Sequence, residues 1–346
     1  MSQSTPSLRD AARSAFFYSL AGALRAGHEP RAVLELLAED DLDPRLARVA
    51  RTLAGEGAGK TLPEVLALAP RSFGPAAAEM ARAGESSGKL ADALELMAAD
   101  GARSAEMGPR VSLALIFPLI GLGGAFLVAL LCAVFVVPAY KEMFVGFGAD
   151  LPSLTLAYMG ISELLASYWY LLIALAVALF FAFAWRSKYA YGRPIDGLLM
   201  RLPLLGKHLL RVHSARMAGL LADAVRMEFD ARAALAYLRD TCGNRVLGER
   251  TEALMKEAGT GTVAAWLAQS RSVPRRLSVA AGAQADPQRL ARALAGAAGE
   301  YAEAARAGAA RIERNTFISA YLIVGLIVGT LVIAMYLPMF KMSSAI

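Results

Sequence analysis

Cysteine is nearly absent from this 346-residue chain, which has only Cys132 and Cys242. Cys132 falls inside a long apolar run where no partner thiol is expected, so a disulfide framework is excluded and a reduced environment fits. Histidine is as sparse. His28, His208 and His213 have no Cys or carboxylate at zinc-ligand spacing, so no metal is expected and the three read as surface or interfacial residues. No Ser-His-Asp or Cys-His arrangement can be drawn. The adjacent carboxylates Asp40 and Asp41 read as solvated turn residues. No catalytic site and no cofactor are therefore expected. No window alternates apolar and polar residues with period two for long enough to suggest a sheet, which leaves an all-α chain.

Charge is scarce too, at 19% of residues, while 56% are hydrophobic. With a mean hydropathy of +0.44, the composition is too apolar for an ordinary soluble protein. Met1 to Arg13 is polar and of mixed charge, without a basic segment leading into an apolar one, so no cleavable signal is expected there. Insertion would then rest on internal helices. About 20 apolar residues carry a helix across about 30 Å of hydrocarbon. Three uncharged runs reach that length: 111–137 between Arg110 and Lys141, 164–185 between Glu163 and Arg186, and 315–340 between Arg314 and Lys341. Tyr168, Trp169, Tyr170 and Trp185 bracket the second run as interfacial aromatics would.

Basic residues stay on the cytoplasmic side. Arg103, Arg110, Arg186, Lys188, Arg193, Arg306, Arg311 and Arg314 would all share one side, whereas 138–163 offers only Lys141 and the tail 341–346 only Lys341. Residues 139–163 carry a net charge of −2 and residues 186–314 a net charge of +9. The expected order is a cytoplasmic helical bundle over 1–110, span 111–137, periplasmic loop 138–163, span 164–185, second cytoplasmic bundle 186–314, span 315–340 and periplasmic tail 341–346. The N-terminus would lie inside and the C-terminus outside.

The chain is also built twice. Leu90, Leu94, Phe117, Pro138, Tyr140 and Lys141 match Leu290, Leu294, Phe317, Pro338, Phe340 and Lys341 at an offset of 200. Leu20, Ala21, Arg25 and Leu34 match Leu221, Ala222, Arg226 and Leu235 at an offset of 201. Each copy is a helical domain followed by an exit helix, and the unpaired middle span returns the chain to the cytoplasm. Within each copy apolar residues recur at helical spacing, as in Phe16, Leu20 and Leu24, and again in Met217, Leu221 and Val225.

Two other function classes fit the sequence less well. Ala54-Gly-Glu-Gly-Ala-Gly-Lys-Thr61 resembles a relaxed phosphate-binding loop of a nucleotide-binding membrane enzyme, but an Arg-rich amphipathic segment precedes it where a buried strand is required, and Pro63 follows. A turn between bundle helices accounts for it. A small transporter would need ionisable residues inside its spans, and the three runs contain none. Gly325 and Gly329 give a small-xxx-small spacing suited to close association of spans within or between subunits, so a homo-oligomer stays open. The arginines of the second bundle are not interleaved with exposed aromatics, so they read as a solvated face or one attracted to the lipid bilayer, with no nucleic acid expected.

The ordered motifs resemble one family. Gly59-Lys-Thr-Leu-Pro-Glu-Val-Leu66, Phe73-Gly-Pro75 and Gly84-Glu-Ser-Ser-Gly-Lys-Leu90 are followed by Phe117-Pro118, Val136-Val-Pro138, Met143-Phe144, Gly148 and Leu151-Pro-Ser-Leu-Thr155. Leu202-Pro-Leu-Leu-Gly206 then opens the second copy and Tyr336-Leu-Pro-Met-Phe340 closes it. In this order they are similar to the inner-membrane platform proteins of type II secretion and type IV pilus machines, over nearly the whole chain. The resemblance implies a scaffold that passes movement of a hexameric cytoplasmic ATPase to pilin-like subunits and other inner-membrane assembly proteins. It marks Phe117, Pro118, Pro138, Gly148, Leu151, Pro152, Thr155, Pro203, Gly206 and Pro338 as structural positions. It also offers the turn of Gly84, Glu85 and Gly88 as a partner contact, with Glu85 facing an Arg or Lys; a helix-joining turn is the alternative. The family's usual N-terminal extension is largely missing. Phe117 replaces a common Tyr or Thr, Gln284 to Gln288 replaces the Gly-Glu-x-x-Gly turn in the second copy, and Glu228 replaces the helix-ending glycine that Gly27 supplies in the first.

Overall fold

The computed structural model describes residues 10–39, 43–107, 194–201, 205–257, 262–270, 273–282 and 286–343, with short helical pieces between 121 and 174. Everything regular among them is helix. The first copy comprises α1 (Asp10–Arg25), α2 (Pro30–Ala38), α3 (Pro44–Glu56), α4 (Leu62–Ala67), α5 (Pro70–Phe73), α6 (Pro75–Ser86) and α7 (Leu90–Met107). The second comprises α8 (Pro194–Arg201), α9 (Leu205–Arg226), α10 (Ala231–Thr241), α11 (Arg245–Glu257), α12 (Val263–Gln269), α13 (Arg275–Gly282) and α14 (Pro287–Ser343).

Local chemistry places the helix ends. Prolines stand in the first turn of α2 through α6, where the missing N–H costs no helical hydrogen bond. Asp43 caps α3 by accepting from the N–H groups of Arg45 at 2.9 Å and Leu46 at 3.3 Å. Asn244, 201 residues later, caps α11 in the same way through Val246 and Leu247. Thr61 and Thr262 form another such pair, preceding α4 and α12. The helix-ending turns repeat as well. Gly27 closes α1 at φ 81°, with His28 N–H donating to Ala23 O. Glu228 closes α9 at φ 51°, with Phe229 N–H donating to Ala224 O. A glutamate thus holds the left-handed position that glycine takes in the first copy.

The chain divides into two compact units, Met1–Pro109 with Tyr191–Ala309, and Arg110–Ala190 with Ala310–Ile346. In the first unit the copies do not keep separate cores: one apolar cluster runs from Phe16, Leu20 and Phe73 through Leu96 and Met97 to Leu220, Leu235 and Leu254. Phe16, Phe17 and Phe73 form its aromatic corner, with ring centroids 4.6 to 5.6 Å apart. α1 lies along α7, and α9 along α10. Between the copies α7 packs on α9 and α6 on α10.

In the second unit, α14 carries Ile318, Tyr321, Leu322, Leu326, Ile333 and Tyr336 exposed on its surface. Among the described residues it is the one helix long and apolar enough to cross a membrane. A helix that is apolar all round and uncovered suits lipid rather than water. The described residues of the first two expected spans, such as Phe126, Leu127, Tyr168 and Leu171, are also helical with exposed apolar side chains. The remainder of 111–137, 138–163 and 164–185 lies outside the described residues.

Candidate functional site

The Gly84 to Gly88 turn joins α6 to α7, and its geometry explains both glycines. Gly84 is buried in the last turn of α6, where an added Cβ would lie 2.7 Å from the Cβ of Ala93 and 3.0 Å from Leu90 Cα. Gly88 has φ 69°, and Lys89 N–H donates to Gly84 O at 2.7 Å, closing the helix with the left-handed cap that favours glycine. The hydroxyl of Ser87 donates to Ala83 O at 2.8 Å, satisfying another terminal carbonyl. Glu85 is exposed and has no ion pair among the described residues. Its carboxylate sits at the negative end of the α6 dipole, a placement that costs a few tenths of a kcal/mol to about 1 kcal/mol.

The next residue ties the turn to the second copy. Lys89 Nζ donates to the backbone oxygens of Met227 at 3.0 Å and Glu228 at 3.3 Å, at the end of α9. A cation there complements the carbonyls and dipole of that helix. Further along the seam, Arg103 Nη1 donates to Asp223 at 2.7 Å and Arg306 pairs with Glu106 at 2.9 Å. Glu106 and Arg306 stand 200 residues apart, the same position in the two copies. These residues edge a cleft of about 240 Å³ floored by Gly219, Ala222 and Ala298. Arg103 Nε and Nη2 are buried beside it without a hydrogen-bond partner.

The centre of the seam is an ion pair. Arg216 on α9 donates from Nε to Asp100 Oδ1 at 3.0 Å and from Nη2 to Oδ2 at 2.5 Å. It also donates to the backbone oxygen of Thr241 at 3.1 Å and to that residue's hydroxyl at 3.0 Å. The two charged side chains are 6% and 1% exposed. Burial opposes the charged guanidinium, but attraction to Asp100 and the hydrogen bonds to it hold the Arg216 pKa above its ordinary value. Three helices from both copies meet at this one side chain.

His213 lies one turn before Arg216. Burial and the neighbouring Arg216 charge lower its pKa to about 4, against an opposing pull from Asp100. Thr251 donates its hydroxyl proton to Leu247 O at 3.0 Å, so His213 Nε2 supplies the proton in their 3.0 Å contact. That leaves Nδ1 buried with no partner, and a second proton there would find no acceptor. His28 is exposed, whereas His208 and His213 are buried, contrary to the surface reading of the sequence. The reason is that α9 packs on its own bundle and on α7, leaving no open face from His213 to Ala222.

Other marked positions fall as follows. Gly206 begins α9 against α8, where a Cβ would collide with the backbone oxygen of Met200. Pro338 belongs to α14. Phe117, Pro118, Pro138, Gly148, Leu151, Pro152, Thr155 and Pro203 lie outside the described residues, as do Asp40, Asp41, Gln284 and Ala285. The 54–61 segment joins the end of α3 to the six-residue α4, with Glu64 accepting from Thr61 N–H at 3.0 Å. A helix feeds it where a phosphate loop requires a strand. Sequence reasoning missed Asp100, Arg216 and the Lys89 contact. The available signal was a charge embedded in each of two otherwise apolar helical stretches.

Comparison with known proteins bears on the whole assembly. The family model described as type II secretion system protein F matches residues 16–138, from the core of α1 to Pro138. The type IV pilus assembly protein PilC of Pseudomonas aeruginosa is 23% identical over 335 residues, covering 96% of this chain and 90% of that protein. Over most of its length this chain is similar to the type II secretion F and type IV pilus C proteins. PilC of Thermus thermophilus is 30% identical over 265 residues, 76% of this chain and 65% of that protein. The type II secretion system protein F of Xanthomonas campestris is 27% identical over 272 residues, 77% of this chain and 66% of that protein. These relatives are named as secretion and pilus assembly proteins, not as enzymes.

Proposed function

We propose that the chain is the inner-membrane platform of a type II secretion or type IV pilus assembly machine, coupling a hexameric cytoplasmic ATPase to extraction of pilin-like subunits. In this reading both bundles, 1–110 and 186–314, face the cytoplasm, and spans 111–137, 164–185 and 315–340 leave the loop 138–163 and the tail 341–346 in the periplasm. The observation that carries it is the continuity of α14. Leu290 and Leu294 anchor this helix in the common core, and the same helix runs on to Ser343 through exposed apolar residues. Force on the bundles would pass along the hydrogen-bonded backbone of this helix. Glu85 is the proposed ATPase contact: it is exposed, has no ion pair among the described residues and is unfavourably placed on its own helix, which a basic partner would relieve.

The test replaces the chromosomal gene by one encoding Glu85→Lys. The variant is expected to remain in the inner membrane at normal abundance, lose co-purification of the ATPase, and lose filament assembly or secretion. Unchanged filaments and pull-down would remove Glu85 from the mechanism. A gene deletion without any defect in filaments or secretion would remove the platform function itself.

A further inference from the structure

The two copies are related in sequence but not in burial, and the differences fall on two faces. On α9, Arg216, Gly219, Leu220 and Asp223 form a stripe at helical spacing that is covered by α7 of the first copy. Their counterparts on α1, at the offset of 201, are Ala15, Tyr18, Ser19 and Gly22, and all four are exposed. The neighbouring helices show the same contrast. Tyr237 on α10 is 1% exposed, and its counterpart Leu36 on α2 is 71% exposed. An added Cβ at Gly219 would press on Arg103, while one at Gly22 meets nothing.

The opposite face behaves in the complementary way. Ala76, Met80, Ala93, Leu96 and Asp100 on α6 and α7 are buried. Their counterparts at the offset of 200 are Arg276, Ala280, Ala293, Gly296 and Glu300. These line an open groove of about 530 Å³ between α13 and α14, with Val279 beside it. Ala77 and Leu277, like Ala81 and Ala281, are buried in both copies, so the offset is in register. Within the chain the α6–α7 face of copy one receives the α9–α10 face of copy two. The α13–α14 face of copy two and the α1–α2 face of copy one are what that packing leaves over. Tyr18, Leu36 and Val279 are the large apolar side chains exposed among the described residues of this unit, and all three lie on those two faces.

We propose that a second copy of this chain occupies the groove, seating its α1–α2 face around Tyr18 and Leu36 between α13 and α14 in a repeat of the contact made within the chain. Such an interface joins unlike faces, so it propagates head to tail and closes as a ring of bundles or continues as an open array. The intermolecular version lacks the central buried ion pair. Ala15 stands where Arg216 would be, and Glu300 pairs at 3.0 Å with Arg276 of its own bundle. The contact therefore rests on apolar burial, and a charge placed within it breaks it.

The test uses full-length chains in native membranes with Cys132 and Cys242 replaced by Ala. One chain carries Ala15→Cys and the other Glu300→Cys, the counterparts of Arg216 and Asp100, with different affinity tags. A short bismaleimide is expected to give a cross-linked product bearing both tags when the chains are co-expressed, and none when either is expressed alone. Adding Tyr18→Asp is expected to remove that product, with the melting temperature left at that of the cysteine-free parent. A well-folded mixed sample that gives no product overturns the proposal. So does a product formed by Ala15→Cys chains alone, which would mean that like faces meet.

Discussion

Arg216 and Asp100 bind at the one place, among the described residues, where charge has been taken fully out of water between the two copies. Such a pair contributes little net stability over an apolar replacement, yet losing one partner strands the other, at a cost of about 3–5 kcal/mol. Arg216→Met is expected to destabilise the protein by that amount, since the carbonyl of Thr241 loses its donor along with Asp100. Asp100→Leu combined with Arg216→Met should recover much of the loss, because no lone charge remains. Thermal unfolding of the three variants in detergent measures it, and a double variant as unstable as the sum of the singles contradicts it. His213 makes the pH counterpart. Its folded pKa of about 4 lies below the ordinary value of 6.5, so the fold favours the neutral ring. The associated stability is complete above pH 6.5 and is lost as pH falls through 4, on the order of 3 kcal/mol in all. Melting temperature should fall between pH 7 and 4.5 more steeply for the parent than for His213→Gln. Parallel curves would show that other groups govern acid sensitivity.

At the scale of elements, the helices were legible wherever capping chemistry and period agreed. Gly27, the Asp41 to Pro44 stretch and the glycines at 55–59 punctuate the sequence, and α1, α3 and α4 end or begin at them. The turn over Gly84 to Gly88 was legible too, although its first glycine serves close packing on Ala93 rather than the turn itself. What periodicity could not reveal is the burial of α9 on two sides. Its pattern of Met217, Leu221 and Val225 marks one face, while the second is made of Gly219, Ala222 and charges whose partners lie more than a hundred residues away. A charge with a distant partner reads in sequence as a solvated charge. The same limit made two buried histidines look superficial. Duplication was the better guide, since the offset of 201 carries Asp43 to Asn244 and Gly27 to Glu228 with cap and backbone conformation retained.

At the scale of the molecule, one core shared by two copies constrains how the chain can lie in a bilayer. α7 and α9 pack directly and share a buried ion pair, so residues on either side of the first two apolar runs occupy the same compact unit. A unit so joined cannot be divided by hydrocarbon, because its seam would expose charged and polar groups to lipid. An even number of crossings between its halves, as in the proposed pair of spans 111–137 and 164–185, keeps such a unit on one side of the bilayer. Alkaline phosphatase fused after Ala105 or after Gly259 is accordingly expected to be inactive, a fusion after Gly148 active, and one after Ser343 active. Activity at just one of the first two junctions would place the halves on opposite faces, which the Arg216 contact forbids. Inactivity after Ser343 would keep the paired spans but turn the last helix back, and with it would go the proposed path from bundle to membrane.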